Sequence, residues 1–297
     1  MNLRNHDNSG YVAMDGGVRL YYLQAGQGAR TLLVPNGPIL MDAFAPLAEG
    51  RTIIFYDVRN RGRSDTVEDP AKLSGGIHRD VDDIETLRRH FGAESVDLIG
   101  HSYLGLMVAL YAMKYPERAG RIVQIGPQQP YASRIYPREL TGADYVLAET
   151  FATLAKMDAE QAATDPVARC WKTWEILRRI YVTDAADVDK IDWLRCDLPN
   201  ERNFRTYWMA HLMPSVNSLK LGAEDFARAT APVLTVHGRR DRAAPYGGGR
   251  DWAAALPNAR LLTVENGGHA PWVEEPAVIS SIAKFLDGEW PEGTEKV

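Results

Sequence analysis

Ser95-Val96-Asp97-Leu98-Ile99-Gly100-His101-Ser102-Tyr103-Leu104-Gly105 joins a short apolar run to a longer one. Ser95 to Ile99 has the composition of a buried strand, closed by Gly100-His101-Ser102. Leu104 to Tyr115 is strongly apolar and helical, and Pro116 ends it. A serine between such a strand and such a helix rides a tight turn. Its hydroxyl then stands above the carboxyl edge of a sheet, where open parallel sheets bind ligands. Free N–H groups and the dipole at the helix start favour developing negative charge there. The pattern departs from G-x-S-x-G at one place: Leu104 stands where the second glycine is usual, and Gly105 follows. Alone, the motif also fits a plain N-cap serine.

Outward from this turn, strands and helices alternate. Tyr11 to Leu23 reads as a hairpin turning at Asp15-Gly16-Gly17. Thr31 to Val34 and Thr52 to Tyr56 are apolar runs, and Val81 to Phe91 has helical spacing with Gly92 as its stop. Arg121 to Ile125 is a further strand. The pattern resumes with strands at Pro232 to Val236 and Arg260 to Val264, and a last amphipathic helix covers Pro276 to Leu286. This predicts an α/β fold: a mostly parallel central sheet with helices on both faces. Between lies a helical, aromatic-rich stretch. The domain reading is therefore a core over residues 1–127, an inserted helical lid over 128–227 and the rest of the core over 228–297.

With 297 residues, 45% hydrophobic and 25% charged, the chain is of ordinary globular composition. A net charge of -5 gives no long-range pull on phosphate backbones or anionic membranes, so nucleic acid and membrane are not expected partners. The longest apolar stretch, Leu104 to Met113, is too short to span a bilayer. The start of the chain, MNLRNHDNSG, is polar and unlike a signal peptide. Cys170 and Cys196 form no CxxC pair. Two free thiols in a reducing cytoplasm is the simpler expectation, a single disulfide the other. No metal-ligand spacing such as HExxH and no phosphate-cradling GxGxxG is present, so no metal or cofactor is expected. Gly247-Gly248-Gly249 suggests only a loop or a helix entry.

A serine hydroxyl needs a base that is mostly neutral near pH 7. Of the seven histidines, His269 has the best setting, in the glycine-rich loop Glu265-Asn266-Gly267-Gly268-His269-Ala270-Pro271 between the last strand and the last helix. His237, ending a strand, is expected to pack locally, and His101 to point away from Ser102. The acid that orients the base is expected at Asp241, just after the strand at Pro232 to Val236. Asp251, within an expected helix, is less suited. The order Ser102, Asp241, His269 is that of the strand–turn–helix nucleophile folds. An oxyanion hole would take one N–H from Tyr103 and a second from the loop after Val34. Pro35 and Pro38 cannot donate, and among Asn36, Gly37 and Ile39 the glycine allows the closest approach.

These residues resemble the α/β-hydrolase superfamily over nearly the whole chain, and within it the proline iminopeptidase branch. That branch's HGGP motif has a counterpart in Pro35-Asn36-Gly37-Pro38, its DQRGxGRS segment in Asp57-Val58-Arg59-Asn60-Arg61-Gly62-Arg63-Ser64, and its WxxWE motif in Trp171-Lys172-Thr173-Trp174-Glu175. The resemblance implies that Glu175 holds a substrate ammonium, with Trp174 and Tyr207 lining the substrate pocket. The branch's second lid glutamate falls on Phe204, Glu201 being out of register, and Thr206-Tyr207-Trp208 matches its HYF-like segment.

The expected function is hydrolysis of a small ester or amide through an acyl-enzyme, on a small-molecule or short-peptide substrate. A proline iminopeptidase-like aminopeptidase competes with a carboxylesterase. Acyl transfer to another acceptor, or a non-catalytic receptor on the same fold, remain open. Relatives with an aspartate nucleophile, dehalogenases and epoxide hydrolases, are disfavoured by Ser102. The oligomeric state is left open.

Overall fold

The computed structural model describes residues 8–35, 37–142, 145–160, 165–191, 193, 196–198, 200 and 207–297. Asn36, Glu201, Phe204 and Thr206 lie outside them.

The described residues form a nine-stranded sheet in the order β1-β2-β4-β3-β5-β6-β7-β8-β9. β1 (Ser9–Ala13) and β2 (Arg19–Ala25) make the expected hairpin, with Gly16 and Gly17 both at positive φ in its turn. β3 (Arg30–Pro35), β4 (Arg51–Tyr56), β5 (Val96–His101), β6 (Ala119–Ile125), β7 (Val233–Gly238) and β8 (Ala259–Val264) run parallel. The short β9 (Thr294–Glu295) closes the edge antiparallel.

Period-two alternation splits the strand residues between two cores. Leu33, Ile54, Leu98, Ile122 and Val233 face one core, with helices α2 (Ile77–His90) and α3 (Tyr103–Lys114) packed over them. Leu32, Phe55, Ile99, Val123 and Val236 face the other, beneath α1 (Gly37–Phe44) and the final helix Ala277–Leu286. Burial on both faces explains why these strands read as largely apolar runs. Strand order reverses between β3 and β5, so the crevice at their carboxyl ends is a topological switch point.

Between β6 and β7 the described residues form helices and no strand, including Tyr145–Glu160 and Pro166–Leu177. The boundary expected after Ala227 falls inside the helix Ala223–Arg228, whose Phe226 packs into the core around α3. Among the described residues, no helix is long and apolar enough to cross a membrane.

The expectation of free thiols is overturned. Cys170 and Cys196 are joined in a disulfide with Cα atoms 5.8 Å apart, and the cytoplasmic placement loses that support. The bond closes a 26-residue separation within the inserted segment. Loop-closure entropy makes such a link worth about 3 kcal/mol. Dithiothreitol, or Cys170→Ser, is therefore expected to lower the melting temperature by several degrees. Identical melts with and without reductant would show that the bond contributes nothing.

Candidate active site

Ser102 sits at the end of β5 with φ 61 and ψ -128, one of two non-glycine residues at positive φ among those described. This uncommon conformation is fixed by neighbours. Ser102 N donates to Ile125 O at 2.9 Å, while Ser102 O accepts from Gly105 N at 2.9 Å and from Gln128 N at 3.0 Å. The displaced glycine thus still serves the turn. Gln124 Nε2 donates to Gly105 O, and a β-carbon at Gly105 would press on Pro127. Leu104 is buried, so the room it needs is present. Tyr103 opens α3, and Gly37 opens α1 after β3; both are first residues of helices at the carboxyl edge.

Asp241 and His269 come together as expected. The fully buried Asp241 lies 2.8 Å, Oδ2 to Nδ1, from His269. Asp241 Oδ1 accepts from the N–H groups of Ala243 and Ala244, each at 2.8 Å. Burial alone would raise the Asp241 carboxyl. Attraction to His269 and hydrogen bonds from His237 and His269 override it, and hold the group well below the usual carboxylate range. An ionised carboxylate only accepts, so His269 Nδ1 carries a proton, and in the neutral tautomer this leaves the lone pair on Nε2. Gly126, just beyond the strand partner of His101, carries this pair to the turn. A β-carbon there would come within 2.9 Å of Asp241 Oδ2 and 3.0 Å of His269 Nδ1.

The loop bearing His269 is pinned from several sides. Gly268 N donates to Glu274 Oε2 at 2.9 Å, Ala270 N to Tyr181 O at 2.9 Å and Arg240 N to Gly267 O at 3.0 Å. Glu274 also accepts from Thr183 N. The Tyr181 ring stands edge-on to His269 at 5.0 Å.

Two histidines that sequence reasoning set aside belong to this assembly. His101 Nε2 donates to the carbonyl of His269 at 2.9 Å, and its ring centroid is 4.5 Å from that of His269. Burial, with His269 adding to it, pushes the His101 imidazole down to about 3. It therefore supports His269 without placing a second cation beside it. His237, fully buried, lies 3.2 Å from Asp241 Oδ2 and 3.2 Å from Ala244 O. Both neighbours are acceptors, so His237 Nε2 bears the hydrogen. The only signal for either was a histidine at the end of an otherwise apolar strand.

The Gly247-Gly248-Gly249 run gains a reason. It forms the first turns of the helix Tyr246–Ala255, where β-carbons would collide with Tyr136, Gln129 and His237 in turn. Asp251, on the same helix, accepts from Tyr136 and pairs with Arg134.

The residues expected to bind substrate are placed unequally. Glu175 stands on the exposed face of its helix with its side chain 56% exposed, paired with Lys172 at 2.8 Å. The ammonium-holding role implied by the resemblance does not fit that position. Trp174 packs inward, one link from the imidazole: its ring is 6.4 Å from Tyr181, which in turn meets His269. Tyr207 is buried near Tyr103, whose ring meets Trp208 at 4.8 Å. The Asp57–Ser64 segment is scaffold. Arg59 is buried in a two-bond pair with Asp83, at 2.6 and 2.7 Å. No three His, Cys, Asp or Glu side chains among the described residues gather as a metal-binding set.

The family model for the alpha/beta hydrolase fold matches residues 36–276. A 2-hydroxy-6-oxononadienedioate/2-hydroxy-6-oxononatrienedioate hydrolase of Paraburkholderia phymatum is 26% identical, over 94% of this chain and 95% of its own length. A proline iminopeptidase of Saccharolobus solfataricus is 34% identical, but over only 37% of this chain and 38% of its own. An esterase from Exiguobacterium antarcticum superposes with a TM-score of 0.72 at 16% identity, covering 94% of this chain and 99% of that one. The likeness to the iminopeptidase is therefore partial, while the dienedioate hydrolase and the esterase match along nearly the full length.

Proposed function

Since this chain belongs to the α/β-hydrolase family, we propose that it is a serine hydrolase that cleaves a small ester or amide through an acyl-enzyme. The observation that carries this reading is the buried 2.8 Å pair of Asp241 and His269, set against Gly126 beside the turn that holds Ser102. In the first step His269 Nε2 takes the Ser102 proton as Oγ bonds to the carbonyl carbon. The resulting oxyanion is held by the N–H groups of Tyr103 and Gly37. His269 then protonates the leaving group as its bond to the acyl carbon breaks. Water, deprotonated by His269, attacks the acyl carbon, and His269 returns that proton to Ser102 Oγ as the acyl–oxygen bond breaks and the acid leaves. Trp174 and Tyr207 shape the lid side of the pocket.

A second reading, cleavage of a carbon–carbon bond in a dienedioate-type substrate, is favoured by the full-length likeness to the Paraburkholderia protein. The peptidase reading has the partial likeness and the Trp171-to-Glu175 motif behind it, but not the position of Glu175.

The test is a fluorophosphonate probe, expected to label wild type and not Ser102→Ala. A panel of short acyl nitrophenyl esters, aminoacyl-naphthylamides and a 2-hydroxy-6-oxo-dienedioate then sorts the substrate classes. An unlabelled, folded wild-type protein would favour a non-catalytic receptor. Glu175→Ala is expected to change kcat/KM on the best substrate less than twofold, since an exposed i,i+3 ion pair contributes little. A drop of tenfold or more confined to aminoacyl substrates would restore the ammonium role to Glu175.

A further inference from the structure

Beneath the lid, on the α2 side of the carboxyl edge, lies a carboxyl group with no use in the scheme above. Asp80, in the first turn of α2, is 2% exposed, and neither of its carboxylate oxygens has a hydrogen-bond partner. Two more buried polar atoms in this region are also unpartnered: the Tyr56 hydroxyl, at the end of β4, and Asn60 Nδ2, in the turn that follows. Unmet buried groups of this kind are few in folded proteins and call for an account.

Position and charge supply one. In the sheet register Tyr56 stands opposite Pro35, the last residue of β3 before Gly37. The charge of Asp80 acts on both Tyr56 and Tyr207, and both of those rings also feel Tyr103, the residue after Ser102. Asp80 opens the long helix that follows β4, and the start of such a crossover helix lies at the carboxyl edge of the sheet, the edge that also carries Ser102. Arg59 attracts Asp80 but makes no hydrogen bond to it, and directs its Nε and Nη2 to Asp83 instead. Asp80, Asp83 and Arg59 together carry one negative charge in excess whenever Asp80 is ionised. Burial, with the charge of Asp83 adding to it and Arg59 opposing, keeps the Asp80 carboxyl raised well above its usual range. A ligand cation would answer both the unpartnered carboxyl and that excess charge.

We infer that Asp80, with the unpartnered Tyr56 hydroxyl at the end of β4, is the subsite for a primary or secondary ammonium group on the acyl portion of the substrate. The inference rests on the serine-hydrolase reading only for which part of the substrate carries the amine. It gives the amine-holding role, which the exposed Glu175 does not fit, to a residue on the core instead of the lid.

The test compares two 4-nitrophenyl esters that differ in one group, the alanine ester and the isobutyrate ester. Wild type is expected to prefer the ammonium-bearing ester by about 10- to 100-fold in kcat/KM, the range for hydrogen bonds to a charged group. Asp80→Asn is expected to bring that ratio close to one. Absence of the preference in wild type, or an unchanged ratio in Asp80→Asn, would overturn the inference. Should Asp80→Asn fail to melt cooperatively, Tyr56→Phe carries the same test, with a severalfold smaller ratio expected and an unchanged ratio overturning it. A binding arm separates this inference from the serine reading. In the Ser102→Ala background, butylammonium chloride is expected to raise the melting temperature above a sodium chloride control, and Asp80→Asn to abolish that rise. An equal rise in both proteins, or none in either, refutes the subsite whether or not Ser102 is labelled by fluorophosphonate.

Discussion

Ser102→Ala is expected to lower kcat by about 10⁴- to 10⁶-fold, the loss typical when the nucleophile of such a triad is removed. The change deletes one oxygen from a turn whose geometry rests on backbone bonds. The Ser102 N–H and carbonyl contacts to Ile125, Gly105 and Gln128 do not involve the hydroxyl. Alanine and serine meet similar resistance at φ 61, so stability is expected to move by less than about 1 kcal/mol. The measurement is kcat on the best ester of the panel, beside a thermal melt. A variant that melts like wild type and turns over within tenfold of it would put the nucleophile elsewhere.

Asp241→Asn is expected to cost about 10⁴-fold in kcat, the size of the corresponding change in the serine protease triad. The asparagine amide has one oxygen and one NH₂ where the carboxylate has two acceptors. With its NH₂ toward His269, Nδ1 must accept, the proton moves to Nε2, and no lone pair remains for Ser102. The same NH₂ then opposes the N–H of His237, 3.2 Å from Oδ2. With the amide turned over, the NH₂ opposes the N–H groups of Ala243 and Ala244. Either orientation sets donors against donors in a fully buried place, so a stability loss of about 1–3 kcal/mol is expected beside the kinetic one. Steady-state kinetics and a melt read both effects. Near-normal kcat would mean that the tautomer of His269 is fixed by something other than Asp241.

The core was legible because its signals are local. The six parallel strands are short, largely apolar runs bounded by turn residues, because both sheet faces are covered; the buried polar residues Asp97, Gln124 and Thr235 within them are hydrogen-bonded. Asp241 and His269 were legible for a related reason: each follows a core strand in a loop rich in turn residues. What escaped depends on contacts distant in sequence. His101 and His237 look like strand residues until β5 and β7 are laid beside the loop at His269. The Cys170–Cys196 bond depends on how the inserted helices pack, which no local pattern encodes. Glu175 is a different case. Cys170, Thr173 and Ile176 share the buried side of their helix, which leaves Trp171 and Glu175 together on the outer side. That periodicity is present in the sequence and by itself turns Glu175 outward.

The three adjoining glycines of the helix Tyr246–Ala255 put a constraint on how this protein tolerates change. They are good candidates for helix-stabilising alanine substitution in any routine engineering scheme, and the third of them lies directly behind His237. A methyl group at Gly249 would push on the imidazole that steadies the Asp241 carboxylate. Alanine substitution along this helix would therefore disturb both its packing and the support of Asp241, although the helix contributes no residue to the proposed chemistry.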